Sequence, residues 1–208
     1  MPRVCFRGSE VVGSYGCDVL VCDLRHFLGM PDDAPGPARR LAVQLAAIVR
    51  SASAHRVGSG VTTAVLCTKR PGRRPCDGFV MVFRRINGEI AWSCDVCGDE
   101  GVITGWHGSP TDVSGLDDGY VDGDEITAVV SREVFDAVRG VFLLDAACEL
   151  VVARAQGTSA GVLLAGRVGA FEELVGYVAA ESNVESDRRR VRLLDEACTV
   201  LEAALGQV

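Results

Sequence analysis

Residues 67–97 read CTKRPGRRPCDGFVMVFRRINGEIAWSCDVC, with four cysteines in thirty-one positions. The last two form C-x-x-C followed by Gly98. Between the pairs, GFVMVFRRI and EIAWSC have the composition of β-strands, and Asn87-Gly88 between them is a hairpin signal. A two-residue primed turn there sets Cys94 opposite Met81. Pairing of VTTAVLC with the next strand sets Cys67 beside Phe79. Cys67, Cys76 and Cys94 then gather at one end of a small antiparallel sheet, with Cys97 one knuckle later. Four thiolates so placed complete a tetrahedral zinc shell.

The C-x-x-C-G element is the specific part of this reading. Two residues between ligands let one turn present both sulfurs to one ion, and Gly98 relieves the tight backbone. Seventeen residues separate Cys76 from Cys94, within the range between two ligand pairs. Eight separate Cys67 from Cys76, long for a knuckle, so His55 or His107 stands as a substitute ligand for either. Unliganded cysteines and a redox pair are the alternatives. A thioredoxin-type C-x-x-C opens a helix, whereas this one lies between strands. A shell of four cysteines leaves no open position for water, which makes such a site structural.

The rest of the chain follows from there. It has 208 residues, nine cysteines, and a net charge of −7. An odd cysteine count without a signal-peptide core points to a reducing, cytoplasmic setting, and no apolar run reaches the roughly 20 residues of a membrane helix. Cys148 and Cys198 lie in apolar helical patterns, as small core residues. Residues 1–58 carry seven basic and five acidic groups, residues 59–106 six and five, and residues 107–208 eight and eighteen. The acidic C-terminal half is a poor nucleic-acid surface. Twenty arginines against one lysine reflect a GC-rich genome more than phosphate recognition.

Residues 1–22 carry one or two short strands. Asp23 caps a short turn, and an amphipathic helix begins near Pro37, with Leu41, Leu45, Ile48 and Val49 inward. Strands VTTAVLC, GFVMVFRRI, EIAWSC and GVITGW follow. Residues 107–123 form a polar loop that separates two parts, 1–108 and 120–208. The second part reads as strand EITAVV, helices capped at Ser131 and within LLDAACELVVARA, strand AGVLLAG, then helices VGAFEELVGYVAAE and DRRRVRLLDEACTVLEAAL, the latter capped by Asp187. The fold class is α+β: an N-terminal helix plus a zinc-ribbon-like antiparallel sheet, followed by a small acidic α/β part.

RPGRRPC with W-x-C-x-V-C-G-D-E-G-V-I-x-G-W, and LVGYVAAESN with DRRRVRLLDEA, resemble a family of uncharacterised proteins from GC-rich bacteria. The resemblance covers roughly residues 23–108 and 160–205. It implies the cysteine quartet and the two-part layout, and no activity. Family members carry Asn-His where this chain has Asn183-Val184.

The leading expectation is a non-enzymatic binding or scaffolding protein with structural zinc and a protein partner. The alternative is a nucleic-acid-binding or regulatory zinc ribbon. It would use the loop of Lys69, Arg70, Arg73 and Arg74 with Arg84 and Arg85, and Trp92 or Phe83 for stacking. A third expectation is an enzyme site around His107 and the acidic residues Asp117, Asp118, Asp122 and Asp124. No Walker A, G-x-S-x-G or H-E-x-x-H is present, and the acidic spacing departs from an EF-hand. In DRRRVR, arginines are expected to pair with Asp195 or Glu196.

Overall fold

The hairpin at Asn87-Gly88 forms, but with three loop residues instead of two. The Gly88 N–H bonds to the Arg85 carbonyl at 3.1 Å, and the Arg85 N–H to the Glu89 carbonyl at 2.8 Å. Gly88 takes the left-handed conformation (φ +84), while Ile86 and Asn87 do not. The Asn87 side chain accepts from the Glu89 N–H at 3.1 Å and closes the turn from within. One extra loop residue moves the register by one, so Cys94 pairs with Val80 and not Met81.

The computed structural model describes residues 19–31, 33–116 and 124–207. Along the chain run β1 (Leu20–Asp23), a 3-10 turn (Leu24–His26), α1 (Gly36–Ser53), β2 (Gly60–Leu66), a second 3-10 turn (Pro71–Arg73), β3 (Phe79–Arg84), β4 (Ile90–Cys94) and β5 (Glu100–Thr104). Then come β6 (Glu125–Val130), α2 (Arg132–Arg139), α3 (Ala146–Ala153), β7 (Gln156–Thr158), β8 (Gly161–Arg167), α4 (Val168–Val184) and α5 (Arg188–Leu205). The combination is α+β. The strands make one eight-stranded mixed sheet, ordered β1-β5-β4-β3-β2-β7-β8-β6. Among the described strands, only β1 with β5 is parallel. In the C-terminal half β7 and β6 both pair antiparallel with β8.

The sheet therefore continues across the sequence boundary at 107–123. The link is a bulge in β2, where pairing with β3 slips between Thr62 and Leu66. Thr63, fully buried, fills the gap: its hydroxyl donates to the Val80 carbonyl at 2.7 Å and accepts from the Val65 N–H at 3.1 Å. Its main chain is thereby turned toward β7, pairing with Gln156. β7 is a strand that periodicity misses, because three residues carry no readable alternation. The slip also sets Leu66, not Cys67, opposite Phe79.

Two cores lie along this sheet. Leu45, Ile48, Val49 and Ala52 of α1 pack on Val80, Val82, Ile90, Trp92 and Ile103, with Cys22, Leu24 and Trp106 closing the edge. Ile126, Ala128, Val130, Val162 and Leu164 of the other half pack against Phe171, Leu174, Leu194 and Leu201. Ala54, Val113, Leu150 and Ala153 form a smaller cluster between them. The Ser51 hydroxyl donates to the Ala153 carbonyl at 2.9 Å, tying α1 to α3.

The caps Asp23, Ser131, Asp145 and Asp187 each accept a first-turn N–H. Cys148 is buried, while Cys198 is only partly so. Arg190 does not use Asp195 or Glu196. It reaches back to Glu181 at 2.7 Å, to Glu185, and to the Gly140 carbonyl at 2.9 Å. The short link after α4 puts those carboxylates beside the first turn of α5, nearer than its own next turn. Asp195 instead accepts from Ser182 at 2.7 Å. Among the described residues, no helix is long and apolar enough to cross a membrane.

Candidate metal centre

Cys67 follows β2, Cys76 precedes β3, Cys94 ends β4, and Cys97 lies in the turn to β5. Three hydrogen bonds fold these ends together: Cys67 N–H to the Gly78 carbonyl at 2.9 Å, Cys76 N–H to the Lys69 carbonyl at 2.9 Å, and Cys94 N–H to the Asp99 carbonyl at 2.7 Å. The second closes the long loop, so the eight-residue spacing acts as a wide knuckle.

All four sulfurs lie within 4.8 Å of one another. Cys67 Sγ is 3.6 Å from Cys97 Sγ, and Cys76 Sγ is 3.7 Å from Cys94 Sγ. None of the four is in a disulfide. Main-chain N–H groups point at the sulfurs: Lys69 at Cys67 (3.4 Å), and Val96 and Cys97 at Cys94 (3.4 and 3.5 Å). The Gly78 N–H also lowers the Cys76 pKa. Such donors favour thiolate. Burial works against it, raising the Cys67 thiol strongly and pushing Cys94 up to about 11. At Cys76 burial is outweighed by the Gly78 N–H and the neighbouring sulfurs, and its pKa falls. Four closely set thiols, three of them buried and Cys97 partly so, can hold a metal ion, which supplies the charge that lets all four stay deprotonated.

Two glycines allow the turns. Gly98 is left-handed (φ +71), as the C-x-x-C-G pattern implies. Gly78 was not singled out from sequence. A Cβ on Gly78 would stand 2.6 Å from both Cys94 Sγ and Asp95 Oδ1, so the C-D-G step after Cys76 was the available signal.

The histidines lie elsewhere. Neither His55 nor His107 belongs to the sulfur group. His107 is exposed and stacked on Trp106 at 3.7 Å. His55 lines a pocket of about 350 Å³ with Glu125, Arg154 and Arg167. Its Nε2 is buried with no hydrogen-bond partner among the described residues. Burial, then the Arg154 charge, lowers its pKa. Asp117, Asp118 and Asp122 fall outside the described residues, and Asp124 precedes β6.

Several members of the basic loop are engaged. Lys69 pairs with Asp99 at 3.2 Å and Arg85 with Glu89 at 2.8 Å. Arg84 donates to the Ser53 and His55 carbonyls and lies 5.0 Å over the Trp106 ring. Trp92 is 3% exposed, so it offers no face for a base to stack on. Arg70, Arg73 and Arg74 remain exposed.

No protein-family model, curated protein or solved structure matches this chain.

Proposed function

We propose that this is a non-enzymatic binding or scaffolding protein in which zinc on Cys67, Cys76, Cys94 and Cys97 holds the β2–β5 end of the sheet. The observation that carries the reading is the pair of sulfur separations, 3.6 and 3.7 Å. A tetrahedron with zinc–sulfur bonds of about 2.3 Å has edges of about 3.8 Å. Soft thiolates alone select zinc over the hard cations. The zinc-ribbon-like character is the pairing of one wide knuckle, Cys67 to Cys76, with one tight one, Cys94 to Cys97. The resemblance to proteins of GC-rich bacteria and the cytoplasmic setting belong to this proposal.

The test is metal content by mass spectrometry for the wild type and for Cys94→Ser with Cys97→Ser, alongside hydrogen exchange. Stoichiometric zinc, lost in the variant together with protection in β2–β5, supports the staple. Metal-free, folded wild type with reactive thiols at 94 and 97 overturns it in favour of a redox pair.

The nucleic-acid alternative has one specific support, the exposed Arg70, Arg73 and Arg74 beside the sulfurs. Salt-dependent DNA or RNA binding that disappears when all three become alanine would establish it.

A further inference from the structure

Helix α1 has a second face. Arg39, Arg40, Val43, Gln44 and Ala47 open onto a groove of about 560 Å³. Its far wall is Asp136 and Arg139 of α2, with Val65 and Leu66 of β2 also lining it. A depression of about 250 Å³ continues it, sharing Val43, Ala47, Val65 and Arg139. Volumes of this order are usual for small-molecule sites. Val43 is 70% exposed although it lines the groove, an apolar side chain left without cover among the described residues.

The polar groups are distributed unevenly. Arg139 is offset by Asp136 at 2.8 Å. Arg39 and Arg40 are exposed and form no ion pair among the described residues, so the groove keeps two unbalanced positive charges at one end. Gln44 is 7% exposed. Its amide oxygen accepts from the Thr68 hydroxyl, while its amide nitrogen has no hydrogen-bond partner among the described residues.

We propose that this groove binds a small amphiphilic organic carboxylate. Its apolar chain would lie along Val43, Ala47, Val65 and Leu66, and its carboxylate would meet Arg39 and Arg40. An apolar lining gives an inorganic anion too little to contact, and two unpaired guanidiniums favour a planar oxyanion over a neutral amphiphile. This names a surface and ligand class for the binding role proposed above, and rests on that reading.

The probe is decanoate, titrated into the full chain below its micellar concentration and followed by calorimetry, with decanol as the neutral control. Saturable binding is expected, at least roughly tenfold tighter than for decanol. Arg39→Ala with Arg40→Ala should weaken it at least roughly tenfold, and Val43→Glu should do the same. These positions are exposed, and circular dichroism confirms that each variant folds. Absence of saturable binding, equal affinity for decanol, or variants that bind like wild type overturns the proposal. Metal content is read on the same samples. Stoichiometric metal without decanoate binding removes the groove and leaves the zinc staple, and decanoate binding without metal does the reverse.

Discussion

Gly78 lies directly against the Cys94 sulfur: a Cβ added there would stand 2.6 Å from Sγ. Its N–H also lowers the pKa of the Cys76 thiol. One glycine thus lies against a sulfur of one knuckle and lowers a thiol pKa in the other. Gly78→Ala is expected to push the knuckles apart and weaken metal binding by roughly 10- to 100-fold, the range for groups that orient ligands. Competition with a chromophoric chelator measures it, and unchanged affinity would show that the site tolerates the extra carbon.

Removing the metal should act locally first. The β2–β5 sheet has its own core with α1, while β6, β8 and α2–α5 have another. Strong chelation is expected to collapse hydrogen-exchange protection in β3 and β4 before β8 and α5. Simultaneous loss in both halves would mean that the continuous sheet makes them one cooperative unit.

His55 gives a pH dependence of known sign. Burial and Arg154 lower its pKa below the ordinary value near 6.5. The unfolded chain therefore binds the proton first as pH falls. Stability is full above about pH 6.5 and declines below it until the folded pKa is reached, with a slope of at most about 1.4 kcal/mol per pH unit. Urea titrations at pH 7.5 and 5.5 should show a smaller difference for His55→Gln than for wild type. An equal difference would assign the acid sensitivity to other groups.

Phe171 is fully buried in the second core, beside Leu174 and Leu194. Phe171→Ala should cost about 3–5 kcal/mol by equilibrium unfolding. A cost under about 1 kcal/mol would mean that the helices around it repack.

Leu143 holds a left-handed backbone (φ 61) with a side chain 77% exposed. Leu143→Gly relieves the strain and loses little packing, while adding freedom to the unfolded chain. The expected change is between zero and a gain of about 1 kcal/mol, read as the denaturation midpoint. A clear loss would place the exposed Leu143 side chain in a contact that matters.

Local patterns carried much of this structure. Period-four spacing in α1, α4 and α5, the caps at Ser131 and Asp187, and the strand composition of 61–104 were all readable, because each depends on neighbours within one or two turns. The quartet Cys67, Cys76, Cys94 and Cys97 was readable for a related reason: a hairpin and a C-x-x-C turn bring its members together by short-range geometry. Register was harder. The residues opposite Cys94 and Cys67 were each off by one, since an Asn87 side-chain bond lengthens one turn and a bulge at Thr63 displaces the other strand.

By itself, then, the sequence determined the helices, most of the strands and the grouping of the four cysteines, since hydrophobic period, capping and cysteine spacing are local properties. Tertiary structure alone decided that the two halves share one sheet, that Arg190 answers to Glu181 and Glu185, and that Arg39, Arg40 and Gln44 face α2 across a groove. Those relations join residues of different elements. Their energies depend on burial and on which partner arrives first in space, and no spacing along the sequence encodes either.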